Sequence, residues 1–191
     1  MSITSHMARR VTAATAAAAA AILIPAVALA APGRTAGHAA PAAAPRCASG
    51  QLVAWLGIPA GAAAGSLGYQ LEVSNISRST CTLYGYPGVS AFGPHGGQLG
   101  SAAARDHAHA PRLVTLARGA TAHMELYLAD AANYPPRTCQ PRQAAGLRVY
   151  PPGAYRSLTI PYSFRACGAK GPRYLHVTTT LGGTGVPLYS H

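Results

Sequence analysis

The stretch LGYQLEVS, from Leu67 to Ser74, alternates apolar residues with polar or small ones. Successive side chains of a strand point to opposite faces, so a period of two is typical of a β-strand with one buried face. The residues predicted to face the core are Leu67, Tyr69, Leu71 and Val73. The residues predicted to face outward are Gly68, Gln70, Glu72 and Ser74. The stretch therefore predicts a half-buried strand.

A second stretch, Ala120 to Leu128, has the same period. Its predicted inward residues are Ala122, Met124, Leu126 and Leu128, and its predicted outward residues are Thr121, His123, Glu125 and Tyr127. Seven other runs are further strand candidates, at residues 51–56, 81–84, 89–92, 113–116, 147–150, 157–160 and 174–181. Segments rich in Gly and Pro separate the runs, and the segment from Gly93 to Pro111 is predicted to be a long polar loop.

The number and spacing of these strands indicate the fold class. No stretch keeps a helical period over three turns, so we expect an all-β fold. The strand spacing favours a two-sheet immunoglobulin-like sandwich, with a closed barrel as the alternative.

The N-terminal residues have the three parts of a secretory signal. Arg9 and Arg10 precede an uncharged run that ends in Ala28-Leu29-Ala30. We therefore predict a signal peptide at 1–30, an Ala- and Pro-rich linker at 31–46, a β-sandwich domain at 47–187 and a tail at 188–191. The alternatives left open are a retained anchor at 11–31 and a start at Met7 instead of Met1. The expected location is secreted or extracytoplasmic, with membrane contact only transiently through the signal peptide.

The four cysteines are predicted to form two disulfides, because an exported chain matures in an oxidising compartment. Of three possible pairings we favour Cys47 with Cys81 and Cys139 with Cys167. The first would join the start of the domain to an early strand, and the second would close the C-terminal third. A zinc site with four thiolates is the rival interpretation, but the sequence lacks a Cys-x-x-Cys pair.

The string Cys81-Thr82-Leu83-Tyr84-Gly85-Tyr86-Pro87-Gly88-Val89 is the most specific motif of the chain. Its Tyr86, Pro87 and Gly88 are predicted to form a structural turn, with Pro87 fixing φ and Gly88 taking a positive φ. Together with Cys47, Cys139 and Cys167, the string resembles the secreted actinobacterial family known as domain of unknown function 4232. One departure is Arg118, where the family usually has proline before the glycine. The resemblance implies an exported or surface-anchored β domain and carries over no catalytic residue.

The acidic residues offer little for catalysis. Beyond the predicted signal peptide they are Glu72, Asp106, Glu125 and Asp130. Glu72 and Glu125 could approach each other if their strands were neighbours, although pairing with arginines is the expectation in so basic a chain. No nucleophile elbow, zinc-protease motif or nucleotide-binding loop is found. We therefore expect no enzyme and no cofactor, with an unfamiliar small hydrolase as the least favoured alternative.

One cluster of histidines suggests metal chemistry. His107 and His109 would lie on one side of an extended backbone beside Asp106, and His95 and His123 are possible further ligands. An exported metal-binding protein is therefore the second hypothesis, although solvated loop histidines are the simpler interpretation.

The positive charge has two interpretations, which are both left open: the arginine enrichment typical of a GC-rich genome, or attraction of anionic partners. The chain has 15 Lys and Arg against 4 Asp and Glu, a formal net charge of +11. The arginines are dispersed and no aromatic platform alternates with them, so no specific nucleic acid is expected. The leading hypothesis is a non-enzymatic binding or adhesion module whose partner is an envelope polymer, an anionic surface or a protein. The oligomeric state is left open.

Overall fold

The structure is a computed structural model that describes residues 43–63 and 65–185. This part of the chain contains twelve strands and one short helix, α1 (Pro136–Cys139). The strands are β1 (Leu52–Ala63), β2 (Ser66–Asn75), β3 (Cys81–Tyr84), β4 (Gly88–Phe92), β5 (Gln98–Leu99), β6 (Ala104–Arg105), β7 (Leu113–Leu116), β8 (Thr121–Ala129), β9 (Pro141–Tyr150), β10 (Leu158–Cys167), β11 (Leu175–Val177) and β12 (Leu181–Gly182).

The strands form two larger sheets and one pair. The first sheet has the order β1-β2-β8-β11-β6, and β12 also pairs with β8. The second sheet has the order β10-β9-β4-β5, and β3 pairs with β7. All pairings are antiparallel except that of β6 with β11. The predicted all-β sandwich is confirmed, and the barrel alternative is excluded because the described sheets end in separate edge strands.

Several strands differ in length from their predictions. β1 continues to Ala63 in the ladder with β2, with shifts of register around Pro59. β9 begins at Pro141 because its polar first half pairs with β10, whose last residue is the disulfide-bonded Cys167. The predicted strand 174–181 is divided into β11 and β12. The predicted loop from Gly93 to Pro111 contains the two-residue strands β5 and β6.

The alternation predicted for β8 is confirmed, whereas that of β2 is only partly right. On β8, Ala122, Met124, Leu126 and Leu128 are all buried. On β2, Leu67 is 45% exposed, while the predicted outward residues Gln70 and Glu72 are 3% and 7% exposed. β2 lies between β1 and β8, and Gly185 packs on Gln70 from the outer side. β2 is therefore buried on both faces over most of its length.

Side chains from every sheet contribute to the hydrophobic core. Fully buried side chains include Leu71, Val73, Leu83, Leu116, Met124, Leu126, Leu147, Val149 and Tyr174. Each large apolar side chain buried in this way contributes about 1.5 to 3 kcal/mol to the free energy of unfolding. The hydroxyl of Tyr174 donates to the carbonyl of Leu99 at 3.1 Å, which satisfies its polar atom inside the core.

Both favoured disulfides are present. Cys47 bonds to Cys81 and Cys139 bonds to Cys167, so the zinc alternative is excluded. Backbone contacts begin ahead of Cys47, since the amide of Thr82 donates to the carbonyl of Pro45 at 2.8 Å. The predicted signal peptide, the tail and most of the linker lie outside the described residues. Among the described residues, no helix is both long enough and apolar enough to span a bilayer.

Candidate functional site

The parallel pairing of β6 with β11 brings together two distant segments of the chain. Ala104 lies opposite His176, and Arg105 lies opposite Val177. Between the segment that ends in β6 and the segment that leads into β11 is an open cleft of about 650 Å³. The cleft is lined by Ser101, Ala102, Ala104, Arg105, His107, Gly171 and Arg173.

Hydrogen bonds hold the two walls of this cleft together. The amide of Gly171 donates to Ser101 Oγ at 3.1 Å, and the amide of Gly100 donates to the carbonyl of Gly168, also at 3.1 Å. Beyond β6, the amide of Asp106 donates to the carbonyl of Val177 at 2.9 Å. These contacts cross from one segment to the other, so the positions of the two walls are fixed by the fold.

Tyr86 organises the cationic side of the cleft. The guanidinium carbon of Arg105 lies 5.7 Å from the centroid of the Tyr86 ring, within the range of a cation–π contact. The Tyr86 ring also lies 5.0 Å from the His107 ring. Its hydroxyl donates to the carbonyl of His109 at 3.2 Å and lies 3.3 Å from His107 Nδ1. Tyr86 therefore has contacts well beyond the predicted turn.

The lining of the cleft is strongly positive. Its lining includes two arginines and one histidine, and none of its described lining residues is acidic. The neighbouring carboxylate, Asp106, accepts a hydrogen bond from the amide of Ala108 at 2.9 Å. Positive charges that share a cleft raise the local concentration of anions. The arrangement favours a ligand that carries negative charge.

The predicted turn at Tyr86, Pro87 and Gly88 has a different geometry. The left-handed residue is Gly85, with φ 102°, and not Gly88. Gly88 is the first residue of β4 and pairs with Tyr150, which requires an extended backbone. The segment connects two different sheets, since β3 pairs with β7 and β4 joins β9 and β5.

Glu72 and Glu125 lie on neighbouring strands, as the hydrolase alternative required. Glu72 is opposite His123, and Glu125 is opposite Gln70, so the two carboxylates are diagonal neighbours on one face. Burial raises the pKa of Glu72, and the nearby His123 partly opposes that rise by lowering it. The Tyr127 hydroxyl donates to Glu125 at 2.6 Å, which raises the pKa of Tyr127 to about 12. Within the part of the chain that the structure describes, Glu72 has His123 as its neighbour and Glu125 has Tyr127, and neither acid forms the expected ion pair with an arginine.

The other predicted site residues are dispersed. His95 is in the turn between β4 and β5, and His123 is on β8. Among the described residues, no group of three His, Cys, Asp or Glu side chains is arranged to hold a metal ion. Asp130 accepts from the amide of Ala132 at 2.9 Å and caps a short 3₁₀ turn. The metal hypothesis for Asp106, His107 and His109 remains an untested prediction.

A second cavity lies at the far end of the β1–β2 hairpin. It has a volume of about 420 Å³ and is lined in part by Leu67, Leu128, Tyr162, Phe164 and Arg165. The hydroxyl groups of Tyr69 and Tyr162 are 2.5 Å apart beside it, and the rings of Tyr162 and Phe164 stack at 5.5 Å. Leu67 is exposed because it borders this cavity.

The fold and the cleft define a class: a disulfide-linked β-sandwich domain with a cationic cleft at one sheet edge. Residues 47–181 match the family described as Domain of unknown function (DUF4232), and the chain belongs to that family. No curated protein matches the chain, and no solved structure matches it.

Proposed function

We propose that this protein is an exported, non-enzymatic binding module of the cell envelope or extracellular space, and that its partner is anionic. The single observation that carries the proposal is the cleft lined by Arg105, His107 and Arg173. Its groups supply hydrogen bonds and positive charge, which hold an anion without changing it chemically. Beyond the predicted signal peptide, which contains Arg9 and Arg10, the chain still has a net charge of +9 with histidines neutral, which also attracts anions.

The proposed location rests on two features. Disulfides form and persist in oxidising compartments, and both cysteine pairs of this chain are bonded. The sequence ahead of residue 31 has the charged, apolar and small-residue parts of a secretory signal. The resemblance to secreted actinobacterial proteins supports the same location.

A binding experiment with envelope fractions tests this function. The full chain is produced in an exporting host and mixed with isolated bacterial cell walls, before and after chemical removal of their anionic polymers. We expect binding to the untreated walls, a marked loss on the stripped walls, and weakening as salt rises, because added ions screen exposed charges. Equal binding to both wall preparations, or none at physiological salt, would contradict the proposal.

A further inference from the structure

We propose that the cleft between β6 and β11 is a phosphate-binding site in which Arg105 and Arg173 hold one phosphate group from opposite walls. This inference rests on the proposed function and names the chemical class of its partner. Arg105 belongs to the segment at β6, and Arg173 belongs to the segment that leads into β11.

Arginine suits this role because its planar guanidinium presents several N–H donors in a fixed fork that matches phosphate oxygens. Arg105 is positioned in advance by the Tyr86 ring, 5.7 Å from the guanidinium carbon. A guanidinium group has five N–H donors, and no hydrogen bond from the Arg105 guanidinium is found within the described part of the chain, so its donors are available to a ligand. Both arginines are exposed to solvent, so a ligand reaches them without opening the fold.

Ser101 provides a neutral donor in the same cleft. Its oxygen accepts the amide hydrogen of Gly171 at 3.1 Å. A hydroxyl group has one hydrogen to donate besides its two acceptor positions, so the Ser101 hydrogen remains available to a ligand. The contact also fixes the hydroxyl between the two walls that carry the arginines.

The surroundings favour phosphate over carboxylate. Donors come from the Ser101 hydroxyl and Arg105 on one side of the cleft and from Arg173 on the opposite wall. Donors spread over several directions fit a tetrahedral oxyanion better than a planar one. The volume of about 650 Å³ also leaves room for the groups on either side of a phosphodiester.

The experiment measures binding of defined probes to the full exported chain by isothermal titration calorimetry. The probes are a soluble poly(glycerol phosphate) and, as a carboxylate polymer, polygalacturonate. We expect the phosphate polymer to bind at least tenfold more tightly. Arg105→Gln and Arg173→Gln should each weaken that binding by about 10- to 100-fold, the effect of losing one charged hydrogen-bond partner.

Arg118→Gln is the matched control, because it removes the same charge from an exposed arginine that does not line the cleft. We expect this variant to change the affinity by less than about threefold. Thermal unfolding of all three variants shows whether the fold is retained, and Ser101→Ala gives a second, milder test of the same site.

The outcomes separate the two proposals. If all three arginine variants weaken binding equally, or if polygalacturonate binds as tightly as the phosphate polymer, the phosphate site is wrong. Binding to untreated walls would then still support the proposed function. If neither the probes nor the walls bind, both proposals fail.

Discussion

Glu72 on β2 lies directly opposite His123 on β8, in the middle of the first sheet. Only 7% of Glu72 is exposed, and burial raises its pKa above the usual 4.5 in spite of the attraction from His123. A carboxyl group that binds its proton more readily in the folded state stabilises the fold below pH 4.5. That contribution is lost as the pH rises through the folded-state value.

We therefore predict that the free energy of unfolding of Glu72→Gln is higher than that of the wild type at pH 7, because the neutral amide carries no buried charge. The advantage should shrink as the pH falls towards 4, where the wild-type carboxyl is also neutral. Urea unfolding of the wild type and the variant between pH 4 and 8 measures the two free energies of unfolding. Glu125→Gln removes the same charge from the neighbouring strand and serves as the control. A variant that is less stable than the wild type at every pH would contradict the assignment.

The two disulfides should stabilise the domain by similar amounts. They separate residues by 34 and 28 positions, and loops of this length give about 3 to 4 kcal/mol each from the restriction of the unfolded chain. Replacing Cys47 and Cys81 by serine, or Cys139 and Cys167, should lower the free energy of unfolding by that amount in denaturant titrations. Alkylation without reductant should label no cysteine in the unfolded wild type, and four labelled thiols would disprove both bonds.

Asn75 should be essential for stability because its side chain joins three parts of the chain. Nδ2 donates to the carbonyls of Ser79 and Leu116 at 2.8 and 3.0 Å, and Oδ1 accepts from the hydroxyl of Ser77 at 2.7 Å. Asn75→Ala removes these contacts, of which the one to the carbonyl of Leu116 is buried, and should cost about 1 to 3 kcal/mol. The control variant Ile76→Ala changes an adjacent side chain that is 64% exposed. The midpoint of its unfolding transition in denaturant should differ little from that of the wild type. Similar losses in both variants would refute this role.

Gly146 should not tolerate a side chain. It pairs with Phe92 on one side and Pro161 on the other, and an added Cβ would meet the carbonyl of Ile160 and, at 2.8 Å, the ring of Phe92. We expect Gly146→Ala to lower stability by about 1 to 3 kcal/mol through overpacking. Gly97→Ala is the matched control, since no atom lies within 4 Å of its added Cβ. Equal melting temperatures for both variants would contradict this prediction, because they would show that the sheet accommodates the added methyl group at little cost in stability.

The sequence predicted the fold well where a local pattern determines it. The alternation on β8 was correct because a period of two is a local pattern. The favoured disulfide pairs were also correct, although the sequence left three pairings possible. The burial of Gln70 was missed, because a period of two shows which face a residue lies on and not whether another segment covers that face.

The cleft was missed for a related reason. The sequence drew attention to His107 beside Asp106 and His109, but not to Arg105 with Arg173. Those two arginines line one cleft because β6 pairs in parallel with β11, and strands of only two and three residues are too short to show a period in the sequence. Tyr86 was assigned to a turn, since its contact with Arg105 also depends on long-range packing.

The bond between Cys47 and Cys81 has a mechanical consequence. Both β1 and β2 lie within the covalent loop that it closes. Tension applied to the chain ahead of Cys47 first loads the backbone contacts between Pro45 and Thr82, and then passes through sulfur directly to β3. The force therefore does not pass through β1 and β2, the strands that carry Trp55, Gln70 and Glu72. A domain under tension would keep this hairpin from being extended.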